Sequence, residues 1–180
     1  TTTMPLLLRH FFLLTVFTLT PHVKVNCQQL GYNMYEVVML GVPLNGEDEN
    51  SKFGYSVSLS GDGTRLAIGA PDNDSDDGTV EVYSYDAGTN TWSQLGSDVN
   101  GGGDYGFGNS VAMSGNGLAF VAGASRYSSD KGRARKYEWT GSSWTRTRNS
   151  LTGSSDGDMF GTSVAISNDG SIVAVGAPRH

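Results

Sequence analysis

Short runs with an apolar residue at every second position alternate with clusters of glycine and polar turn formers, and one such pattern occurs three times. It opens at Phe53-Gly54, runs along Ser56-Val-Ser-Leu-Ser60, turns at Asp62-Gly63 and returns along Arg65-Leu-Ala-Ile-Gly69-Ala70 to Pro71. It recurs from Phe107-Gly108 to Gly123-Ala124 and from Phe160-Gly161 to Gly176-Ala177-Pro178, with the phenylalanines 54 and 53 residues apart. A period of two marks a half-buried strand. Asp-Gly or Asn-Gly between two such runs predicts a hairpin closed by a type I′ turn, with both turn residues at positive φ. Residues 56–60 and Arg65–Ala70 should therefore be antiparallel strands, with equivalents around Asn116-Gly117 and Asp169-Gly170.

The rest of each unit repeats more loosely. Thr79-Val-Glu-Val-Tyr-Ser-Tyr85 alternates well, and Arg133-Ala-Arg-Lys-Tyr-Glu-Trp139 is its counterpart. Turn residues follow at 86–90 and 140–143, and then short runs that hold Trp92 and Trp144. Four short antiparallel strands in a unit of about 50 residues predict the blade of a β-propeller. The expected fold class is all-β, an incomplete propeller. Small residues such as Gly69 and Ala70 suit crowded backbones near an axis. The recurring phenylalanine should fill the gap between blades, helped by Trp92 and Trp144. Leu40-Gly41 to Leu44-Asn45-Gly46 matches Leu95-Gly96 to Val99-Asn100-Gly101 and reads as the last strand of an earlier partial unit. The array then spans residues 37–180, with 28–36 as a lead-in. The competing fold is an open β-solenoid, against which the paired hairpins and the long period argue.

These blocks resemble the FG-GAP repeat family, whose bracket is Phe53-Gly54 to Gly69-Ala70-Pro71 and Phe160-Gly161 to Gly176-Ala177-Pro178. The middle copy departs, with Ser125 where the family has proline. The resemblance implies a propeller like the head of integrin alpha chains, used in extracellular adhesion and ligand binding. It also implies a calcium loop of the Asp-x-Asp-x-Asp-Gly type inside each bracket. Here that stretch is a tight turn with one Asp or Asn per copy, too few oxygen ligands for calcium, so these residues read as turn formers.

The N-terminus bears on location. Met4 reads as the true start, followed by a short basic stretch ending in Arg9-His10 and an apolar run from Phe11 to Thr20. Val25-Asn26-Cys27 then offers a cleavage site before Gln28, so residues 1–27 are expected to be a signal peptide and the protein secreted or displayed at a cell surface. Arg9-His10 interrupts the stretch that a membrane span would need. Membrane attachment is expected only if this segment stays uncleaved or an anchor lies downstream. The chain stops directly after a Gly-Ala-Pro, which suggests truncation at the C-terminus. Cys27 is the sole cysteine, so no intrachain disulfide forms. A net charge of −6 makes nucleic acid an unsuitable partner. The histidines, His10, His22 and His180, fall outside the body of the repeats and no serine has a visible base, so the chain reads as non-enzymatic.

Three features carry candidate chemistry. Asp72, Asp74 and Asp76, ahead of Asp77-Gly78, place carboxylates at alternate positions and are the candidate calcium ligands, against the plainer reading of a solvated acidic loop. Asn73-Asp74-Ser75 in the same loop is a sequon for N-glycosylation. Lys131, Arg133, Arg135 and Lys136 lie beside Tyr137 and Trp139 and could meet an acidic glycan, although the solvated face of an outer strand is the stronger expectation. Gly101-Gly-Gly103 lacks the Lys-Ser/Thr of a phosphate loop and reads as a connection between blades. The functional expectation is an extracellular binding or adhesion module whose loops at 70–78 and 123–132 are held on a rigid scaffold. Its ligand would be a protein or a glycan. The alternatives are a non-catalytic propeller attached to a secreted hydrolase, and a structural matrix or wall protein.

Overall fold

The computed structural model describes residues 17–20, 36–46, 50–73 and 77–180. These residues form an all-β array with one short helical turn, Tyr127–Asp130, in which Ser128, Ser129 and Asp130 have positive φ. Strands β1 (Phe17–Thr20) and β2 (Glu36–Met39) pair antiparallel. The first unit holds β3 (Ser56–Leu59), β4 (Arg65–Ala70), β5 (Thr79–Asp86), β6 (Thr91–Gln94) and β7 (Val99–Asn100). The second holds β8 (Ser110–Met113), β9 (Ala119–Ala124), β10 (Arg133–Trp139) and β11 (Trp144–Thr152), and the third the hairpin β12 (Ser163–Ile166) and β13 (Val173–Gly176). In each complete unit successive strands are neighbours in an antiparallel sheet, β3-β4-β5-β6 and β8-β9-β10-β11, with β7 also paired to β5. These are β-propeller blades of four antiparallel strands. Most of residues 1–27 and of the lead-in lie outside the described residues, while Phe17–Thr20 is paired with β2.

The hairpins fall where the alternation predicts them, but their turns differ from the expected type. Of the two turn residues only the glycine is left-handed, at Gly63, Gly117 and Gly170. Asp62 keeps an ordinary φ because its carboxylate has another task. It accepts hydrogen bonds from Ser60 Oγ at 2.6 Å, Thr64 N–H at 3.0 Å and Thr64 Oγ1 at 2.9 Å. Asn116 and Asp169 serve their turns in the same way, each accepting from the serine two residues before and the amide two residues after. These side chains are turn formers, as the residues suggest.

The units dock through a joint that repeats. Inner strands β3, β8 and β12 stand side by side in succession. Phe107 N–H donates to Asp77 O, and Phe160 N–H to Lys131 O. The Phe107 ring is fully buried with Val80 and Val82 of the first blade and Phe120, Ala122 and Tyr137 of the second. Phe53 is buried with Leu66, Ile68 and Trp92 on the opposite face of the first blade, beside Leu44. Gly46, Gly101 and Gly153 each lie against the β-carbon of the phenylalanine that follows, so Gly46 holds toward Phe53 the place that Gly101 holds toward Phe107. Trp144 Nε1 donates to Leu95 O at 2.8 Å, and Trp92 Nε1 to Leu40 O at 3.3 Å. The joint also explains exposure along the inner strands. Met113 is covered by the first blade, whereas its equivalent Leu59 is 42% exposed.

Candidate functional site

The basic residues of β10 are not the solvated face that the sequence suggests. β10 is the third strand of its sheet, flanked by β9 on one edge and β11 on the other, and Arg135 is only 7% exposed. What brings it inside is Asp104, in the connection between blades and almost wholly buried. Arg133 Nη1 donates to Asp104 Oδ1 at 3.0 Å, and Arg135 Nε stands 2.8 Å from Oδ2. That second contact has the distance of an ion pair but not the direction of a hydrogen bond, so Oδ2 and both Nε atoms lack directed partners. Burial, the largest influence on Asp104, raises its carboxyl above the ordinary value despite the charges of Arg135, Arg133 and Arg146. Arg133 also covers the Tyr127 ring, with 3.5 Å from its guanidinium carbon to the ring centre. The carboxylate three residues before Phe107 is the partner that a reading of β10 alone misses.

Beside Arg135 the first joint opens into a cleft of about 610 Å3. Its walls come from the segment 96–102 of the first unit and from Arg135, Tyr137, Ser142, Ser143, Trp144 and Arg146 of the second. Arg135 Nη1 crosses the joint to donate to Gly101 O at 2.7 Å. Tyr137 stacks on Phe120 at 5.1 Å, and Phe120 meets Trp144 edge-on at 5.1 Å. Burial raises the Tyr137 phenol above its ordinary value. The outer strand bends here. Tyr137 pairs with Arg146 and Arg133 with Thr152, so six steps of β11 face four of β10. Such extra residues re-aim side chains beside a site.

The acidic loop fares differently. Asp74 and Asp76, with Ser75 of the sequon, lie outside the described residues. Asp72 is committed to cations from two units: Lys52 Nζ is 2.5 Å from Oδ2 and Arg126 Nη2 is 2.8 Å from Oδ1. Burial works against its ionisation, yet Lys52 and Arg126 together outweigh this and hold the carboxyl below its usual value. Asn73 Nδ2 donates to Thr79 Oγ1. Among the described residues no cluster of three or more metal-ligating side chains is found. Gly101-Gly-Gly103 is the connection between blades, with Gly101 N–H on Gly78 O and Gly103 N–H on Asp77 Oδ2.

Ser154, Asp158 and His180 come together near the end of the chain. Asp158 Oδ2 and Ser154 Oγ approach the same His180 nitrogen, Nδ1, at 3.2 and 3.3 Å. A serine nucleophile needs its base on one ring nitrogen and the orienting carboxylate on the other, so this set does not form that arrangement. Among the described residues no helix is long and apolar enough to cross a membrane.

No family model matches the chain, and no curated protein does. Among solved structures it is similar to TolB from Acinetobacter baumannii, at 19% identity and a TM-score of 0.39 over 81% of this chain. The chain spans about 30% of the length of that structure. The blade assignment stands on the sheet order and the repeated joint.

Proposed function

We propose that the chain is a non-catalytic binding module of the FG-GAP type, secreted or displayed at a cell surface, in which the blades are scaffold and the joints and rim loops the contact surface. The observation that carries this reading is the cleft at the first joint. It is lined by side chains of two units, and its walls are fixed by hydrogen bonds that cross between them, Trp144 to Leu95 and Arg135 to Gly101. A concave site of mixed polar and apolar lining whose walls are set by a rigid scaffold is suited to recognition, because little conformational freedom is lost on binding. The basic-apolar N-terminus supports export.

The test is to display the full chain to a panel of immobilised glycans and extracellular proteins, and to sequence the N-terminus of the product released by a secreting host. The reading expects saturable binding to at least one ligand class and a mature product that begins at Gln28. A product retained inside the cell, or one that binds nothing on either panel, contradicts it.

A further inference from the structure

Because the two complete units share one register, equivalent positions can be compared directly. Glu81 and Tyr83 face Ile68 and Leu66 across the first blade, as Arg135 and Tyr137 face Ala122 and Phe120 across the second. Gln94 pairs with Tyr83 as Arg146 pairs with Tyr137. In the first unit Tyr83 Oη donates to Glu81 Oε2 at 2.6 Å. The blade therefore folds with an acid and an amide at these two places, and the architecture does not demand arginine at either. The second unit puts a guanidinium at both, and both line the cleft.

The charges there do not balance. Among the described residues Asp104 is the single carboxylate that Arg133 and Arg135 contact. Among the described residues no carboxylate lies within ion-pair distance of Arg146, which is exposed. Asp98, at the other wall, accepts from Gln94 Nε2 at 2.5 Å and keeps its charge, so among the described residues the cleft and its ion pairs set the guanidiniums of Arg133, Arg135 and Arg146 against the carboxylates of Asp104 and Asp98 alone. The Arg135 guanidinium, nine-tenths buried and held by Asp104 and Gly101 O, and the exposed Arg146 guanidinium, outside ion-pair distance of Asp104, stand in the same concavity. Such a pair is suited to a planar or tetrahedral oxyanion.

We propose that this cleft binds the carboxylate or sulfate group of an acidic saccharide, with the exposed Arg146 holding the anion and the buried Arg135 adding its charge from the cleft wall. The hydroxyls of Ser142 and Ser143 and the exposed backbone at Gly102 meet the sugar hydroxyls, and the Trp144 and Tyr137 rings give the sugar ring an apolar wall. An acidic peptide fits less well. A peptide would bind most readily by adding a strand to the exposed edge of β11, and the extra residues between Arg146 and Thr152 interrupt the row of edge groups that it would need. The proposal rests on the binding-module reading and assigns that module a site and a ligand class.

The experiment is calorimetric titration of the full chain with four probes: a sulfated, uronate-containing tetrasaccharide, its neutral unsulfated counterpart, sodium sulfate, and a glutamate-rich peptide. Arg146→Gln changes an exposed side chain and should leave the melting temperature unchanged. Lys131→Gln, in a rim loop away from the cleft, is the control. The acidic tetrasaccharide should bind at least tenfold tighter than the neutral one, and Arg146→Gln should weaken it about tenfold, the loss of one charge-assisted contact. Arg135→Gln should weaken it further wherever the variant remains folded. Lys131→Gln should change nothing. Equal affinity for charged and neutral sugars, a preference for the peptide, uptake of sulfate alone, or indifference to Arg146→Gln would each overturn the site. Binding of a protein or neutral glycan that ignores Arg146 would overturn the anion site and leave the binding-module reading intact. No binding to any ligand would remove both.

Discussion

Ser56 Oγ donates a hydrogen bond to the carbonyl oxygen of Gly108 at 2.8 Å, and one period later Ser110 does the same to Gly161 at 2.8 Å. Each bond joins an inner strand to the Phe-Gly of the following unit. Each needs the receiving carbonyl close to a strand that has no side chain in the way. A β-carbon placed at Gly69 would meet Gly108 O at 2.0 Å, and one at Gly123 would meet Gly161 O at 2.0 Å.

Gly69→Ala and Gly123→Ala should therefore destabilise the protein by similar amounts, about 1–3 kcal/mol each, because backbone cannot move aside as a flexible side chain can. Gly88→Ala, in the exposed turn between β5 and β6, should shift stability by less than about 0.5 kcal/mol. Thermal or urea unfolding of the three variants checks this.

Phe107 anchors the joint between the two complete blades and has no exposed surface. Phe107→Ala should cost about 3–5 kcal/mol, the usual range for emptying an aromatic site in a core. Val57→Ala, at a side chain 46% exposed on β3, should cost much less. Urea midpoints compared at constant slope give the measurement.

The hairpin turns should confer an acid limit. Asp62 is lowered from 3.8 to about 2, first by the Ser60 hydroxyl and then by Thr64, and Asp169 is lowered to about 2, first by Ser167 and then by Ser171. In both, the folded carboxyl releases its proton more readily than the unfolded one. The stability that these turns add is complete above pH 3.8 and is lost as pH falls to about 2. Asn116 does the same work with an amide, so Asp62→Asn with Asp169→Asn should fold at neutral pH and flatten this acid step. Melting temperature measured from pH 5 to pH 2 checks it (a range of about three units around those values).

The repeat made the blades readable from sequence, because the Phe-Gly brackets and the alternation between them report backbone geometry that the structure reproduces strand by strand. The turn type at Asp62 differs from the expected one, because a propensity for positive φ competes with a side chain that hydrogen-bonds its own turn. The basic cluster departs from its expected solvated face for another reason. Nothing in 131–137 announces that Asp104, far back in the chain, will sit under Arg133 and Arg135. Arg146 lies in a polar outer strand, and only its alignment with Gln94 of the first unit sets it apart.

Asp72 bears on the calcium expectation. Both its oxygens are held by cations, Lys52 and Arg126, and calcium at that loop would have to displace them. Millimolar calcium should leave the melting temperature unchanged, and Asp72→Asn should lower stability by less than about 1 kcal/mol, as exposed ion pairs do. A calcium-dependent rise in melting temperature that Asp72→Asn abolishes would restore Asp72, Asp74 and Asp76 as a metal site.

The central claim is that successive units dock through one repeated joint, and the indole protons of the three tryptophans test it most directly. Trp92 Nε1 and Trp144 Nε1 each donate across a joint, to Leu40 O and Leu95 O. Hydrogen exchange of the full chain followed by nitrogen-15 NMR should find the indole protons of Trp92 and Trp144 protected and that of Trp139 freely exchanging. Equal, rapid exchange at all three would contradict the account.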